Sequence, residues 1–319
     1  MREKQIDDAI LASIIVLTKN GEQYLREVLS AVFDQDIAGR FEVLVIDSGS
    51  DDATLSIVRS FPKAVLHQIR PEEFGHGATR NLGARLARGE FLVFIPQDAT
   101  PCGSKWLASL LTPFCDASIA GVYGRQVPRA AASSMEAFML QRVYPDNMGI
   151  KHLSYGESPS FARCFFSTVS GAIRASVWRQ FPFREDIIMS EDQAWSRDVM
   201  TAGHGIAYAP MSRVWHSHLY RISGVFRRNF DSGYSMRQIF GRDLGIPIWR
   251  AAAELLAEAR FVLGRKRIAD VLMFLPYEAA RHTGFWLGLH GDRLPHRCAL
   301  ACSSLRYFWL RRSGGSIVK

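Results

Sequence analysis

Between residues 12 and 95 the chain switches at short, regular intervals between continuous apolar runs and amphipathic stretches. Ser13–Leu17, Glu42–Ile46, Ala64–His67 and Phe91–Ile95 are short and rich in Val, Ile, Leu and Phe; Tyr24–Phe33, Ala53–Phe61 and Ala78–Ala87, between them, carry helical spacing. Strands that read as unbroken apolar runs and alternate with helices belong to sheets covered on both faces. The pattern therefore predicts an α/β, doubly wound, mostly parallel sheet. Ligands of such sheets bind at the carboxyl ends of the strands. The polar clusters fall at those ends: Thr18-Lys19-Asn20, Asp47-Ser48-Gly49-Ser50 and Gln97-Asp98. Three clusters on one rim describe a single site.

Further along, 102–115 reads as a helix, 119–124 as a strand and 125–163 as a polar loop without clean periodicity. Phe165–Ile173 reads as a strand, Glu191–Thr201 as a helix, and Ile206–Ala209 with Arg213–Trp215 as closing strands. Beyond residue 220 the sheet signal ends. Segments 221–240, 248–263, 267–289 and 296–312 are helix-like, bounded or kinked by Pro247, Pro276 and Pro295. Two parts are expected: a sheet domain over 1–220 and a helical, basic region over 221–319.

The formal charge is +8, and 12 Lys and Arg against 5 Asp and Glu in residues 250–319 place +7 of it in the tail. A nearly neutral front half argues against nucleic acid as partner, because a basic face should overlie the binding domain. A basic tail with interleaved Trp286, Phe308 and Trp309 suits an anionic membrane surface, or else packing on the core or a homo-oligomer contact. Ala9–Leu17 reads as a buried first strand rather than a signal peptide, and Met273–Leu289 is interrupted by Glu278, Arg281 and His282, so no segment is expected to span a membrane. Five Cys without a C-x-x-C pair suggest reduced thiols in a cytoplasmic protein.

Each polar cluster has a chemical reading. Asp47, after a buried strand, reads structurally as part of a βα turn and functionally as an acceptor for the imide N–H of a uracil or thymine ring. Small residues around Phe74-Gly-His-Gly-Ala-Thr-Arg80-Asn81 let a ligand approach the backbone, and Arg80 offers a two-pronged donor to phosphate. Asp98 is a single rim carboxylate, sufficient for Mg²⁺ when a diphosphate completes the shell. Ser190-Glu191-Asp192 opens a helix; its structural reading is a cap, and its functional one makes Asp192 a general base. His216 and His218, two apart on an extended chain, face the same side and are candidate metal ligands beside Asp98.

Taken in order, these residues resemble the family 2 glycosyltransferases of GT-A fold over roughly residues 11–220, and Phe-x-His-Gly-x-Thr-Arg-Asn with Gln-Asp-Ala is similar to the bacterial rhamnosyltransferase branch. The family's Asp-x-Asp is here Pro96-Gln97-Asp98, with the second acid alone. The resemblance implies an inverting hexosyl transfer with Mg²⁺ or Mn²⁺, with Asp192 and Glu191 at the chemistry. The nucleotide sugar would be held by Thr18, Asn20, Asp47, Ser50, Arg80, Asn81, Gln97 and Asp98, and the metal by Asp98, His216 and His218. The expected donor is dTDP-L-rhamnose and the expected acceptor a lipid-linked saccharide at the inner face of a bacterial membrane. A UDP- or GDP-hexose donor, or a degenerate non-catalytic binder, are the alternatives.

Overall fold

The computed structural model describes residues 9–241 and 248–314, so Pro247 lies outside them. Its order is β1 (Ile10–Thr18), α1 (Leu25–Phe33), β2 (Arg40–Asp47), α2 (Thr54–Arg59), β3 (Ala64–Gln68), α3 (His76–Leu86), β4 (Phe91–Pro96), β5 (Thr100–Pro101) and α4 (Trp106–Leu111). There follow β6 (Ile119–Val127), α5 (Ser134–Val143), β7 (Gly149–Lys151), β8 (Gly171–Arg174), α6 (Ala175–Gln180), α7 (Glu191–Thr201) and β9 (Gly205–Trp215). Helices α8 (Ile222–Phe240), α9 (Ile248–Gly264), α10 (Ile268–Leu289), α11 (His296–Cys302) and α12 (Arg306–Gly314) complete it.

The strands form one sheet in the order β3-β2-β1-β4-β8-β6-β9-β5, with β7 on β9. Strands β1 to β4 pair in parallel, whereas β8 runs antiparallel between β4 and β6, which makes the sheet mixed. Alternation along each central strand feeds two cores. Ile14, Val16, Val43, Val45, Val93 and Ile95 pack with Val28, Leu29, Leu107 and Leu110, while Ile15, Leu44, Ile46, Leu92 and Phe94 pack with Ala84, Val177, Trp195 and Val199. Each such side chain, fully buried, contributes roughly 1.5–3 kcal/mol. Gly83 belongs to this packing, because a Cβ there would come within 2.6 Å of the Ile15 side chain.

Segment 125–163 is more ordered than its pattern predicts, since it contains α5 and β7. Helix α5 buries Met135, Ala137 and Leu140 but also Ser134 and Glu136, which blurs the apolar stripe. Its start was nonetheless written as Ser133-x-x-Glu136, and the Ser133 hydroxyl accepts from the Glu136 N–H. The expected strand 165–173 is shorter: a 3₁₀ turn, Thr168–Ser170, precedes β8. The two closing strands are one, β9.

The tail packs on the sheet domain. Phe308 and Trp309, expected at an interface with lipid, are buried with Ile188, Phe230 and Tyr234. Helices α8 and α10 meet backbone to backbone: a Cβ on Gly284 would lie 2.3 Å from the Phe226 carbonyl oxygen, and one on Gly288 2.1 Å from that of Phe230. The expected helix 296–312 breaks at Ser303–Leu305, where buried Asp231 of α8 accepts from the Ser303 hydroxyl and from the Ser304 and Leu305 amides. One face of α10 stays open, with Ile268 77%, Leu272 73%, Leu275 73% and Trp286 60% exposed. The exposed cations Arg265, Lys266 and Arg267 precede it. Among the described residues no helix is long and apolar enough to cross a membrane.

Candidate active site

The strand order β2-β1-β4 puts the three polar clusters side by side. Asn20 donates its backbone N–H to Ser50 Oγ at 2.8 Å, and Lys19 exchanges backbone bonds with the Gln97 amide at 2.8 and 2.9 Å. Asn20 sits at φ 51°, a left-handed conformation that asparagine tolerates, and its side-chain oxygen accepts from the Asp51 N–H. Asn20, Ser50 and Gln97 thus form a pre-assembled, accessible edge.

Three residues expected on the ligand face inward instead. Asp47 is fully buried, and its oxygens accept from the Thr18 and Ser50 hydroxyls and the Gly49 and Ser50 amides. These four donors fill the lone-pair positions of a carboxylate, so Asp47 and the buried Thr18 hold the turn in this structure. Asn81 is buried too. Its amide donates to the Phe183 carbonyl and Glu185, and accepts from Trp178 Nε1 and the Phe183 N–H. Gly77 opens no path for a ligand, because a Cβ there would lie 2.1 Å from the Arg184 carbonyl oxygen.

Arg80 is nearly buried and pairs with Glu191 at 2.8 Å, their side chains 12% and 4% exposed. The cation expected on phosphate is therefore neutralised within the protein, while its Nε is buried without a hydrogen-bond partner. Glu191 supports Arg80 and does not face the rim as a second acid. Tyr307 of α12 stacks edge-on against Phe74 at 5.6 Å, closing the tail over this segment.

Asp192 follows a strained residue: Ser190 lies at φ 63° without a capping side-chain bond, a conformation worth roughly 1–3 kcal/mol of strain in a non-glycine residue. The cap reading of Ser190 is thereby excluded. Asp192 Oδ2 accepts from the Thr168 N–H at 3.1 Å and hydroxyl at 3.3 Å, and Oδ1 from the Gln193 N–H. Burial, then the Glu191 charge, push its carboxyl up to about 6, against Arg80 and the two amides. A carboxylate tuned to that value is a competent proton acceptor near neutrality.

The third group is the one Asp98 makes with the two histidines. His216 Nε2 lies 3.5 Å from Asp98 Oδ1 and His218 Nδ1 3.7 Å from Oδ2, and the three donor atoms lie within 4.8 Å of one another. Burial would raise the Asp98 carboxyl, but the two histidines beside it hold it below the usual range. Burial, with His216 and Arg228 nearby, drives His218 down to about 4 against the pull of Asp98, so its ring is neutral and its lone pair free at physiological pH. A carboxylate and imidazole nitrogens converging on one point fit a divalent ion, with phosphate oxygens able to fill the remaining positions.

Sequence reasoning missed the residues that hold this group. Arg129, stacked 4.2 Å above the Tyr24 ring, donates to the Asp98 carbonyl and Thr100, and Glu136 accepts from the His218 N–H at 2.7 Å. Both lie in the stretch read as a loop, where only the Ser-x-x-Glu signature was available.

A mixed sheet of this order, with helices on both faces and an acid after β4, is a GT-A-like fold. The family model "Glycosyl transferase family 2" matches residues 13–166. The O-antigen chain rhamnosyltransferase RfbN of Salmonella typhimurium is 29% identical over 94% of this chain and 95% of its own. WbaN of Salmonella anatum, of the same description, is 30% identical over 85% of each. Among solved structures, a Pyrobaculum calidifontis mannosyltransferase in complex with GDP-Man and Mn²⁺ superposes with a TM-score of 0.56 at 18% identity, over 97% of this chain and 87% of that one. Staphylococcus aureus TarS in complex with UDP-GlcNAc gives 0.52 at 16%, over 89% and 92%. The chain belongs to glycosyltransferase family 2.

Proposed function

We propose that this protein is an inverting, divalent-metal-dependent rhamnosyltransferase. It moves L-rhamnose from dTDP-L-rhamnose to a hydroxyl of a lipid-linked saccharide in bacterial surface polysaccharide synthesis, on the cytoplasmic face of the membrane. The sugar rests on the description shared by the two relatives that align along most of their length. The chemistry rests on one observation: Asp192 is held by the Thr168 and Gln193 amides, with its carboxyl raised by burial, while its acidic neighbour Glu191 is held by Arg80. A retaining mechanism would want a second free carboxyl close by as nucleophile; a single displacement wants only a base.

In that displacement Asp192 takes the proton of the acceptor hydroxyl. The freed oxygen bonds to the anomeric carbon as the bond to the nucleoside diphosphate breaks on the opposite side. Thr168 and Gln193 keep the base in place through their amides. Asp98, His216 and His218 would hold the ion, which when bound supplies Lewis-acid stabilisation of the leaving diphosphate. Two imidazoles favour Mn²⁺ over Mg²⁺ there. The exposed apolar face of α10, next to Arg265 and Lys266, supports a lipid-linked acceptor and an anionic bilayer as partners.

A donor panel assayed for nucleoside diphosphate release tests the reading. Turnover of dTDP-L-rhamnose with inert UDP- and GDP-hexoses is expected. The converse result would keep the chemistry and transfer the donor to the alternative, which the ligands of the two solved structures make concrete.

A further inference from the structure

Gln126, on β6, is a buried polar side chain that neither the motifs nor the mechanism above uses. Its Nε2 donates to the Tyr144 hydroxyl and, at 3.1 Å, to Ser167 Oγ. With both amide hydrogens engaged, Oε1 faces His216 Nδ1 at 2.8 Å. An amide oxygen only accepts, so Nδ1 must carry the ring proton. The neutral ring then presents its lone pair at Nε2, the atom that lies 3.5 Å from Asp98 Oδ1. Two acceptors facing each other at that spacing repel unless something positive lies between them. The reverse tautomer would point an N–H at Asp98 and close the position to a cation.

The same amide reaches the other half of the site. Ser167, which accepts from Gln126, caps the 3₁₀ turn Thr168–Ser170 by accepting also from the Val169 N–H. Thr168 of that turn gives both its N–H and its hydroxyl to Asp192.

We propose that Gln126 is a positioning residue that commits His216 to the Nδ1–H tautomer, and so to ligation through Nε2, while fixing the turn that supplies donors to Asp192. The ion-binding and proton-accepting halves of the site then share one buried amide. The assignment deepens the proposed transferase mechanism and rests on it for its meaning, but its first two readouts need no turnover.

Full-length protein with ¹⁵N-labelled histidine, free of metal, reports the tautomer by NMR, and Mn²⁺ titration followed by EPR reports affinity. The wild type is expected to show His216 protonated at Nδ1, and Gln126→Leu to lose that signature and bind Mn²⁺ about tenfold to a hundredfold more weakly. Gln126→Glu keeps an acceptor toward Nδ1 but lacks the two N–H donors. It should retain the tautomer and the Mn²⁺ affinity while the acid limb of its rate profile moves. A wild-type His216 protonated at Nε2, or a Leu variant binding Mn²⁺ as the wild type does, overturns the proposal. A Glu variant that loses as much affinity as the Leu variant does so too, and the wild-type spectrum decides the matter even if the Leu variant fails to fold. If no nucleotide sugar turns over, the transferase reading fails while the tautomer and Mn²⁺ results stand.

Discussion

Removing the proposed proton acceptor should remove the chemistry. Asp192→Asn is expected to lower kcat roughly a hundredfold to ten-thousandfold, with donor binding nearly unchanged, as read by single-turnover assay and nucleotide titration. Because the base acts ionised and its carboxyl sits at about 6, kcat/KM should rise with pH through that value and level off above it. Folding should respond oppositely: the folded state holds that proton more tightly than the unfolded chain, so this group stabilises at acid pH and the contribution falls as pH rises toward 6. Asn81 gives the contrasting case. Asn81→Ala leaves Trp178 Nε1 and the Phe183 amide without partners, at about 1–3 kcal/mol each, and should lower the urea midpoint while leaving donor KM unchanged. The closeness of Asp98 to the His pair was legible because each follows the end of a strand. The inward orientation of Asp47, Asn81 and Arg80 was not legible, because a motif gives residue types and spacing, not the direction in which a side chain turns.

Helices and strands were legible where their periodicity was strong. The first four strands and their helices follow from runs of Val, Ile and Leu that divide between two cores, whereas α5 was hidden because Ser134 and Glu136 interrupt its buried stripe. The antiparallel direction of β8, not the strand itself, was hidden, since a four-residue strand carries no directional signal. The α8–α10 contact follows from glycines whose reason appears only in three dimensions. Gly284→Ala must force the helices apart against the Phe226 carbonyl; a loss of about 1–3 kcal/mol in chemical denaturation is expected, and wild-type stability would show the helices to be more loosely joined.

For the molecule as a whole, the tail, for which the sequence left a membrane surface, core packing and an oligomer contact open, packs in part on the sheet domain. Trp309 and Phe308 close over Ile188, two residues before the strained Ser190. Truncation after residue 220 should therefore give an insoluble or inactive protein, whereas a soluble, active fragment would restore the two-part division. The open face of α10 is the part that stays available to lipid. Liposome flotation should show stronger partition to anionic than to neutral vesicles, reduced by charge reversal at Arg265 and Lys266; equal partition would count against an electrostatic contact.

The Arg80–Glu191 pair has a thermodynamic consequence for the order in which ligands assemble. With Arg80 already balanced inside the protein, a larger share of the counter-charge for an arriving diphosphate would fall to an ion held in the proposed site at Asp98, and that ion would lack phosphate oxygens until the donor arrived. Each would strengthen the other's binding, and the coupling must be reciprocal: calorimetry of Mn²⁺ with and without dTDP, and of dTDP with and without Mn²⁺, should return the same enhancement factor from either side.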